Sequence, residues 1–263
     1  MLAAERRDYL LTRLQADGSL VAKDLAAELG ISEDSIRRDL RDLAAAGLCH
    51  RVYGGAVPAS PALADYGNRE SVEPDSKRRV AARAAALVQP GSALMLDGGT
   101  TTLAVVQALP ADLDCTVITH SPTIAAALVR HQRADVFLLG GRLFKHSAVT
   151  CGAAAAEAAN GVAADLFFLG VTGVHPIHGL TTGDADEAAM KRTLAGRAAE
   201  TYVLASTEKL GAASRYQVLP LTAVTGIITD GSPSDTITAL AEQPLGGGVH
   251  DLLGERVEDR GVR

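Results

Sequence analysis

Apolar positions at helical spacing open the chain. Leu10, Leu11 and Leu14 fall on one face of the stretch from Leu2 to Ala16, which predicts a helix ended by Asp17 and Gly18. Ser19 to Val21 reads as a short extended piece, and Lys23–Leu29 as a second helix with Leu25, Ala26 and Leu29 inward. Gly30 stands where a left-handed C-terminal residue is wanted. Ser32 is a good N-cap for a third helix reaching Ala46, in which Ile36, Leu40 and Leu43 stand at i, i+4 and i+7 on the core side. Leu48–Tyr53 is strand-like, and Gly54 and Gly55 turn it. Pro58 and Pro61 among small residues then predict a linker over 58–75, with order resuming near Asp75.

The periodicity changes at Ser76. Short apolar runs at Ala93–Leu96, Thr116–Thr119, Val136–Leu139, Leu166–Leu169, Tyr202–Ala205 and Gly226–Thr229 predict strands. Helices are predicted between them at Ser76–Val88, Thr101–Leu109, Pro122–Arg130, Ala153–Asn160, Ala185–Ala199 and Ser234–Ala241. Such alternation predicts βαβ units and a mainly parallel sheet over residues 76–243. Residues 244–263 open on three glycines and end charged, and read as a flexible tail.

Composition narrows the function classes. The 263 residues suffice for two domains. Aromatics are only 3% and Trp is absent, which argues against a stacking platform for single-stranded nucleic acid. The net charge is −6, and residues 1–56 hold eight basic against nine acidic residues, so no general positive field can grip DNA. Cys49, Cys115 and Cys151 are odd in number and far apart, which suggests reduced thiols rather than disulfides or zinc. No apolar run approaches the ~20 residues of a membrane span, and the start lacks an apolar signal core, so a cytoplasmic protein with no membrane contact is expected.

DNA binding would therefore rest on placed groups. With Ile36, Leu40 and Leu43 inward, Arg37, Arg38 and Arg41 face outward or sideways, and Ser32 and Ser35 lie at the turn where a recognition helix meets base edges. Arginine forks onto guanine or grips phosphate. Arg51, on the hairpin, could reach the backbone or minor groove as part of a wing. A solvated, salt-bridged helix is the bland alternative, since Arg38 and Asp42 are four apart. The capped third helix, the glycine turn and the Gly-Gly wing together favour a winged helix-turn-helix over residues 1–57.

The second half holds candidate ligand residues. Ala93–Leu96 runs into Asp97, Gly98, Gly99, Thr100 and Thr101 before a helix, and such a turn suits an anion at a helix N-terminus. An ordinary capped turn has the same letters. Gly140 and Gly141 follow another strand, and Asp184 precedes a helix with Glu187 and Lys191 four apart. That pair reads either as a surface ion pair or as the wall of a polar pocket. Lys209 is either a phosphate partner or a plain exposed lysine. His146, His175 and His178 have no carboxylate or Cys cluster beside them, so neither a metal nor a cofactor is expected.

These segments resemble a known family. Ile31 to Leu40 (Ile-Ser-Glu-Asp-Ser-Ile-Arg-Arg-Asp-Leu) and Arg51 to Ala56 (Arg-Val-Tyr-Gly-Gly-Ala) are similar to the N-terminal signature of DeoR-type transcription regulators. A common threonine before Ile36 is Ser35 here. Asp97 to Thr101, Gly140 and Gly141, the Gly-Leu-Thr run with Glu187 and Lys191, and Lys209 to Gly211 resemble motifs of the sensor domain, over roughly Lys77 to Asp230. That domain is similar to the fold of ribose-5-phosphate isomerase and glucosamine-phosphate deaminase. Many relatives carry an Asp where this chain has Ser206.

The resemblance implies a Rossmann-like α/β sensor behind the winged helix. It implies a repressor of a carbohydrate operon, released from double-stranded operator DNA by a phosphorylated sugar or polyol, and acting as a homodimer or homotetramer. The alternative is a phosphosugar isomerase-like enzyme with an appended DNA-binding module, using Asp97, Asp184 or Glu187 as its base. No residue pair has a spacing that demands acid–base catalysis, and an isomerase needs no winged helix.

Overall fold

The computed structural model describes residues 1–231, 235–241 and 249–250. Its first unit contains α1 (Ala3–Asp17), β1 (Leu20–Val21), α2 (Ala22–Leu29), α3 (Glu33–Ala45), β2 (Cys49–Val52) and β3 (Gly55–Pro58). Leu10, Leu14, Leu25, Ile36, Leu40 and Leu43 are buried together in its core. Ser32 caps α3 by accepting the Ser35 N–H, and Gly30 ends α2 at φ 64°, in the left-handed region. The three strands pair antiparallel in the order β1-β3-β2, so β2 and β3 form the wing. Sequence reading missed β3 because Gly55 reads as turn, whereas the turn is Tyr53 and Gly54 alone.

The linker expectation is corrected. After Pro58 the chain forms a 3-10 turn at Pro61–Leu63 and α4 (Tyr66–Arg69), packed on the second unit. Ser60 is buried and donates its hydroxyl to the Thr172 carbonyl, and the Tyr66 N–H donates to the His146 carbonyl at 3.0 Å. Buried polar backbone must find partners, and here the second unit supplies them.

The second unit follows in order with α5 (Pro74–Ala86), β4 (Ala93–Leu96), α6 (Thr100–Ala108), β5 (Cys115–Thr119), α7 (Pro122–Leu128), β6 (Ala134–Leu138), β7 (Arg142–Phe144), β8 (Val149–Cys151), α8 (Ala153–Asn160), β9 (Ala164–Gly170), β10 (Gly173–His175), β11 (Gly179–Thr182), α9 (Ala185–Ala195), β12 (Ala198–Ala205), β13 (Tyr216–Leu219), β14 (Gly226–Thr229), α10 (Asp235–Ala241) and β15 (Val249–His250). Seven strands form one sheet in the order β15-β14-β12-β9-β4-β5-β6, every pair parallel. Two small antiparallel sheets, β10-β11-β13 and β7-β8, are added to it.

Alternation along the strands divides the core into two layers. Leu94, Leu96, Val117 and Phe168 face one way, against Val80, Ala84 and Val105 from α5 and α6. Met95, Ile118, Phe167 and Leu169 face the other way, against Ala155, Ala159, Ala188 and Leu194 from α8 and α9. Both faces are covered, which is why these strands read as continuous apolar runs. All six predicted strands are present in this sheet. The predicted flexible tail, 244–263, lies outside the described residues apart from Val249–His250, which pair with β14.

The strand order reverses at β4. From there the chain winds outward to β5 and β6 on one side, and later to β12 and β14 beyond β9 on the other. A crevice opens at the C-terminal ends of the strands at such a reversal. The turn after β4 and the end of β9 meet there.

Candidate DNA interface and anion-binding cleft

On α3, Arg37, Arg38 and Arg41 are exposed, as is Arg51 on the wing. Arg37 is held by Glu33 at 2.7 Å. Arg38 and Arg41 make no hydrogen bond or ion pair within the described residues; the anticipated Arg38–Asp42 pair does not form, because Asp42 faces Arg7 of α1 at 3.5 Å. Ser32 and Ser35 share a hydroxyl hydrogen bond of 2.9 Å at the helix start. Two features escaped sequence reading. Asp39 is buried and pairs with Arg6, tying α3 to α1. Tyr53 stands fully exposed at the wing tip beside Arg51, and Arg37, Arg51 and Tyr53 line one groove between α3 and the wing. The acidic residues of α3 are thus mostly committed to arginines, which leaves Arg38 and Arg41 as unneutralised charges on the exposed face.

The second site is a narrow cleft at the sheet reversal. Of the residues proposed from sequence, Gly98, Gly99, Thr100, Thr101, Glu187, Lys191 and Lys209 line it. Glycine is required in the turn. A Cβ on Gly98 would stand 2.1 Å from the Val149 side chain, and Gly99 adopts φ 124° before the first turn of α6. The first N–H groups of a helix have no partner within it, so this turn presents donors and a partial positive charge.

Asp97 lies beneath the floor rather than in the cleft. It is fully buried and its carboxylate accepts four bonds. Oδ1 takes the Gly98 N–H and His120 Nε2, each at 2.8 Å; Oδ2 takes the Gly170 N–H at 2.8 Å and Lys191 Nζ at 2.6 Å. Burial alone would push its pKa up, but the Lys191 ammonium and the His120 bond outweigh that and hold it far below the usual carboxylate range. Both ring nitrogens of His120 face acceptors, the second being the Thr150 carbonyl at 2.8 Å. Asp97 therefore joins the ends of β4, β5 and β9 to α9.

The Glu187–Lys191 pair forms at 3.4 Å and is buried, not superficial. Glu187 also accepts from Thr182 at 3.1 Å and Ser147 at 3.3 Å. Asp184 is the N-cap of α9, accepting the N–H groups of Asp186 and Glu187, and faces a different groove. Gly140 and Gly141 lie outside the cleft, Gly141 packed where a Cβ would meet Ala155 at 2.9 Å. The three carboxylates offered as isomerase bases are thus engaged in holding structure.

Lys209 is buried, neither plain nor exposed. Its ammonium donates to Thr101 Oγ1 at 3.0 Å and the Leu204 carbonyl at 3.1 Å, and burial pushes its pKa down to about 8. Sequence reading missed its neighbours Arg69 and Lys77, which also line the cleft, as does Glu208, the carboxylate that the sequence offered as a possible replacement for the Asp lost at Ser206. Lys77 is buried and donates to the Arg69 carbonyl. Ser206 donates to Glu208 Oε1 at 2.8 Å, so a carboxylate is presented two residues along from the position where many relatives have Asp. The lining thus holds four cationic side chains and two carboxylates. Only Lys191 among the four is in an ion pair; Arg69, Lys77 and Lys209 are in none within the described residues. Burying cations without partners is unfavourable unless an anion arrives.

Other expectations can be placed. His175 is buried, its Nδ1 accepts the N–H groups of Ile177 and His178, and burial pushes its pKa down to about 4. His146 pairs with Asp65 at 2.6 Å. Among the described residues no three His, Cys, Asp or Glu come together as a metal site, and no helix is long and apolar enough to cross a membrane. Cys49, Cys115 and Cys151 are free thiols, all buried.

A winged helix with free arginines, joined to an α/β unit with a cation-lined cleft, is the build of a ligand-responsive DNA-binding regulator. Comparison with known proteins gives the family: residues 6–62 match the DeoR-like helix-turn-helix domain and residues 72–231 the DeoR C-terminal sensor domain, and the chain belongs to the DeoR family of transcription regulators. It is 34% identical over 234 residues to the HTH-type transcriptional regulator GlpR of Haloferax volcanii, spanning 88% of this chain and 91% of that one. It is 30% identical to a putative aga operon transcriptional repressor of Escherichia coli O157:H7, over 90% of each chain, and 29% identical to the repressor GlcR of Bacillus subtilis, over 99% of this chain and 100% of that one. Among solved structures, the full-length sorbitol operon regulator SorC of Klebsiella pneumoniae matches with a TM-score of 0.35 at 12% identity, over 81% of this chain and 92% of that one. Ribose 5-phosphate isomerase A of Methanocaldococcus jannaschii matches with a TM-score of 0.39 at 19% identity, over 52% and 54%. Those two likenesses are too distant to carry a functional argument. The protein is a transcription regulator, and the isomerase alternative falls.

Proposed function

We propose that this regulator represses a carbohydrate-metabolism operon and leaves its operator when a phosphorylated sugar or polyol occupies the cleft. Ser32, Ser35, Arg37, Arg38, Arg41 and Arg51 meet the DNA, with Arg38 and Arg41 the least encumbered. Gly98 to Thr101, with Lys77 and Lys209, receive the phosphate, while Glu187 and Glu208 face the hydroxyl-bearing end. Asp97 and Lys191 hold the floor in shape. The observation that carries this reading is the set of three buried or half-buried cations without ion pairs, facing a glycine turn at a helix N-terminus. Relatives named as a putative aga operon transcriptional repressor and as a glycerol-3-phosphate regulon repressor support the biological side.

The protein works in the cytoplasm as a homodimer or homotetramer on a two-fold operator. Phe137 and Leu138 on the open edge strand β6, with Leu143 just after it, are exposed apolar side chains that such an assembly would cover. Release is a population shift: ligand favours the geometry in which two DNA-binding heads no longer match the operator. A thermal-shift screen of phosphorylated sugars and polyols, each beside its unphosphorylated counterpart, tests the reading. At a hundred times Kd a ligand stabilises by about 2.7 kcal/mol, or roughly 5–10 °C for a unit of this size. Equal shifts with and without phosphate, or operator affinity unchanged by every stabilising compound, would sink it.

A further inference from the structure

We propose that Arg69, carried on the segment that follows the wing, closes on the effector's anionic group, so that occupancy of the cleft is passed to the wing through residues 58–73. This rests on the anion-binding reading above and adds the residue and the route by which it acts. Four buried side-chain polar atoms lack a partner among the described residues: Arg69 Nε, Tyr66 Oη, Thr102 Oγ1 and Glu208 Oε2. Arg69, Thr102 and Glu208 line the one cleft. A buried donor without an acceptor is costly, and a buried guanidinium donor more so. Among the described residues the guanidinium makes one hydrogen bond, a long one of 3.4 Å from Nη2 to the His146 carbonyl, and it lies over the Tyr66 ring. A phosphate in the cleft would supply the missing acceptor, in the forked geometry that guanidinium favours.

Two features make Arg69 different from the other cations. Lys77 and Lys209 stand on α5 and after β12, within the sensor, whereas Arg69 ends α4 in the connecting segment. That segment is held to the sensor by few bonds: Ser60 to Thr172, Tyr66 N–H and Arg69 to His146, Asp65 to His146, and Lys77 to the Arg69 carbonyl. At its other end it is continuous with β3, the central strand of the wing sheet, which ends at Pro58, two residues before Ser60. The wing also stands opposite the sensor, His50 to Tyr53 lining one groove with Ile177, His178 and Arg215. A pull on Arg69 therefore acts on the position of the DNA-binding head against that groove.

The test uses the full chain with inorganic phosphate as probe, in hydrogen–deuterium exchange and calorimetric titration, for the parent, Arg69→Gln, Arg69→Lys and Lys209→Gln. Phosphate is expected to slow amide exchange across 58–73 and in β3 of the parent. Arg69→Gln should bind phosphate at least about tenfold more weakly and lose the slowing in 58–73 while the turn 97–102 keeps it. Arg69→Lys keeps the charge without the fork and should fall between; its thermal melt guards against a folding defect. If Lys209→Gln weakens phosphate binding but Arg69→Gln and Arg69→Lys both bind and protect as the parent does, this inference is wrong and the cleft reading stands. If the parent shows no phosphate binding at all, both fall.

Discussion

Asp97→Asn should destabilise the sensor domain sharply, although the two side chains have almost the same shape. In the parent, four donors converge on the carboxylate, one of them the Lys191 ammonium at 2.6 Å, and Asp97 has no exposure to water. An amide replaces one acceptor oxygen by a donor group, which must face either Gly98 and His120 or Gly170 and Lys191. Each choice sets donor against donor. Removing one member of a buried ion pair costs about 3–5 kcal/mol; Lys191 retains Glu187 at 3.4 Å, which favours the lower end. About 3 kcal/mol corresponds to a fall of roughly 6–12 °C in Tm. Calorimetric melts at neutral pH measure it. The pH dependence has a defined sign. Because the folded pKa lies below the ordinary value, this stabilisation is present above about pH 4 and is lost as pH falls toward the folded value. The variant should lack that part of the acid limb. A Tm within about 2 °C of the parent, or an unchanged acid limb, would refute the idea that this carboxylate is the keystone.

Two further outcomes follow from the two sites. Arg38→Ala should weaken operator binding by roughly 1–3 kcal/mol in a gel-shift or anisotropy titration, and Arg37→Ala by less, because Arg37 is already held by Glu33; equal effects would mean that the α3 ion pair does not persist. Anion affinity should fall as pH rises through about 8, where Lys209 loses its proton, and Lys209→Arg should flatten that profile. The ligand-free protein should gain stability over the range from about pH 8 to 10.5, since there the unfolded chain binds the proton that the folded lysine releases.

The sequence made the regular parts visible and hid the irregular ones. Ala93–Leu96, Ala153–Asn160 and Gly226–Thr229 coincide with their predicted bounds, because buried parallel strands and their helices write long apolar runs. The antiparallel additions β7, β8, β10, β11 and β13 are three or four residues long, too short for a period to register. At the site, spacing put Asp97 beside the glycine turn, but no pattern of letters tells a carboxylate that points under the sheet from one that points into a cleft. His120 was invisible for the same reason. Arg69 was hidden by Pro58 and Pro61, which made the segment look loose; Tyr66 and Val72, apolar within it, were the signal that it packs. Lys77 lay inside a predicted helix, where nothing in the spacing told a buried lysine from an exposed one. The substitution at Ser206 was legible, and the structure adds its consequence: Ser206 orients Glu208, leaving one carboxylate oxygen unpartnered in the cleft.

Magnitudes then constrain how the regulator can switch. Reversing a two-state balance from 1:99 to 99:1 takes about 5.5 kcal/mol of differential ligand affinity. One charged hydrogen-bond contact contributes about 1.5–3 kcal/mol, so the Arg69 clamp in a single chain falls short. On the proposed route Lys209 and the 98–101 turn hold the anion alike in both states, and affinity common to both states moves nothing. On that route only the Arg69 contact counts toward the difference. Two chains with one clamp each would supply about 3–6 kcal/mol, enough for release. The winged helix has no net positive charge to hold DNA by itself, so grip needs paired heads. In the proposed homodimer the two clamps act together, and a monomeric variant should therefore lose both operator affinity and the sharpness of its response to ligand.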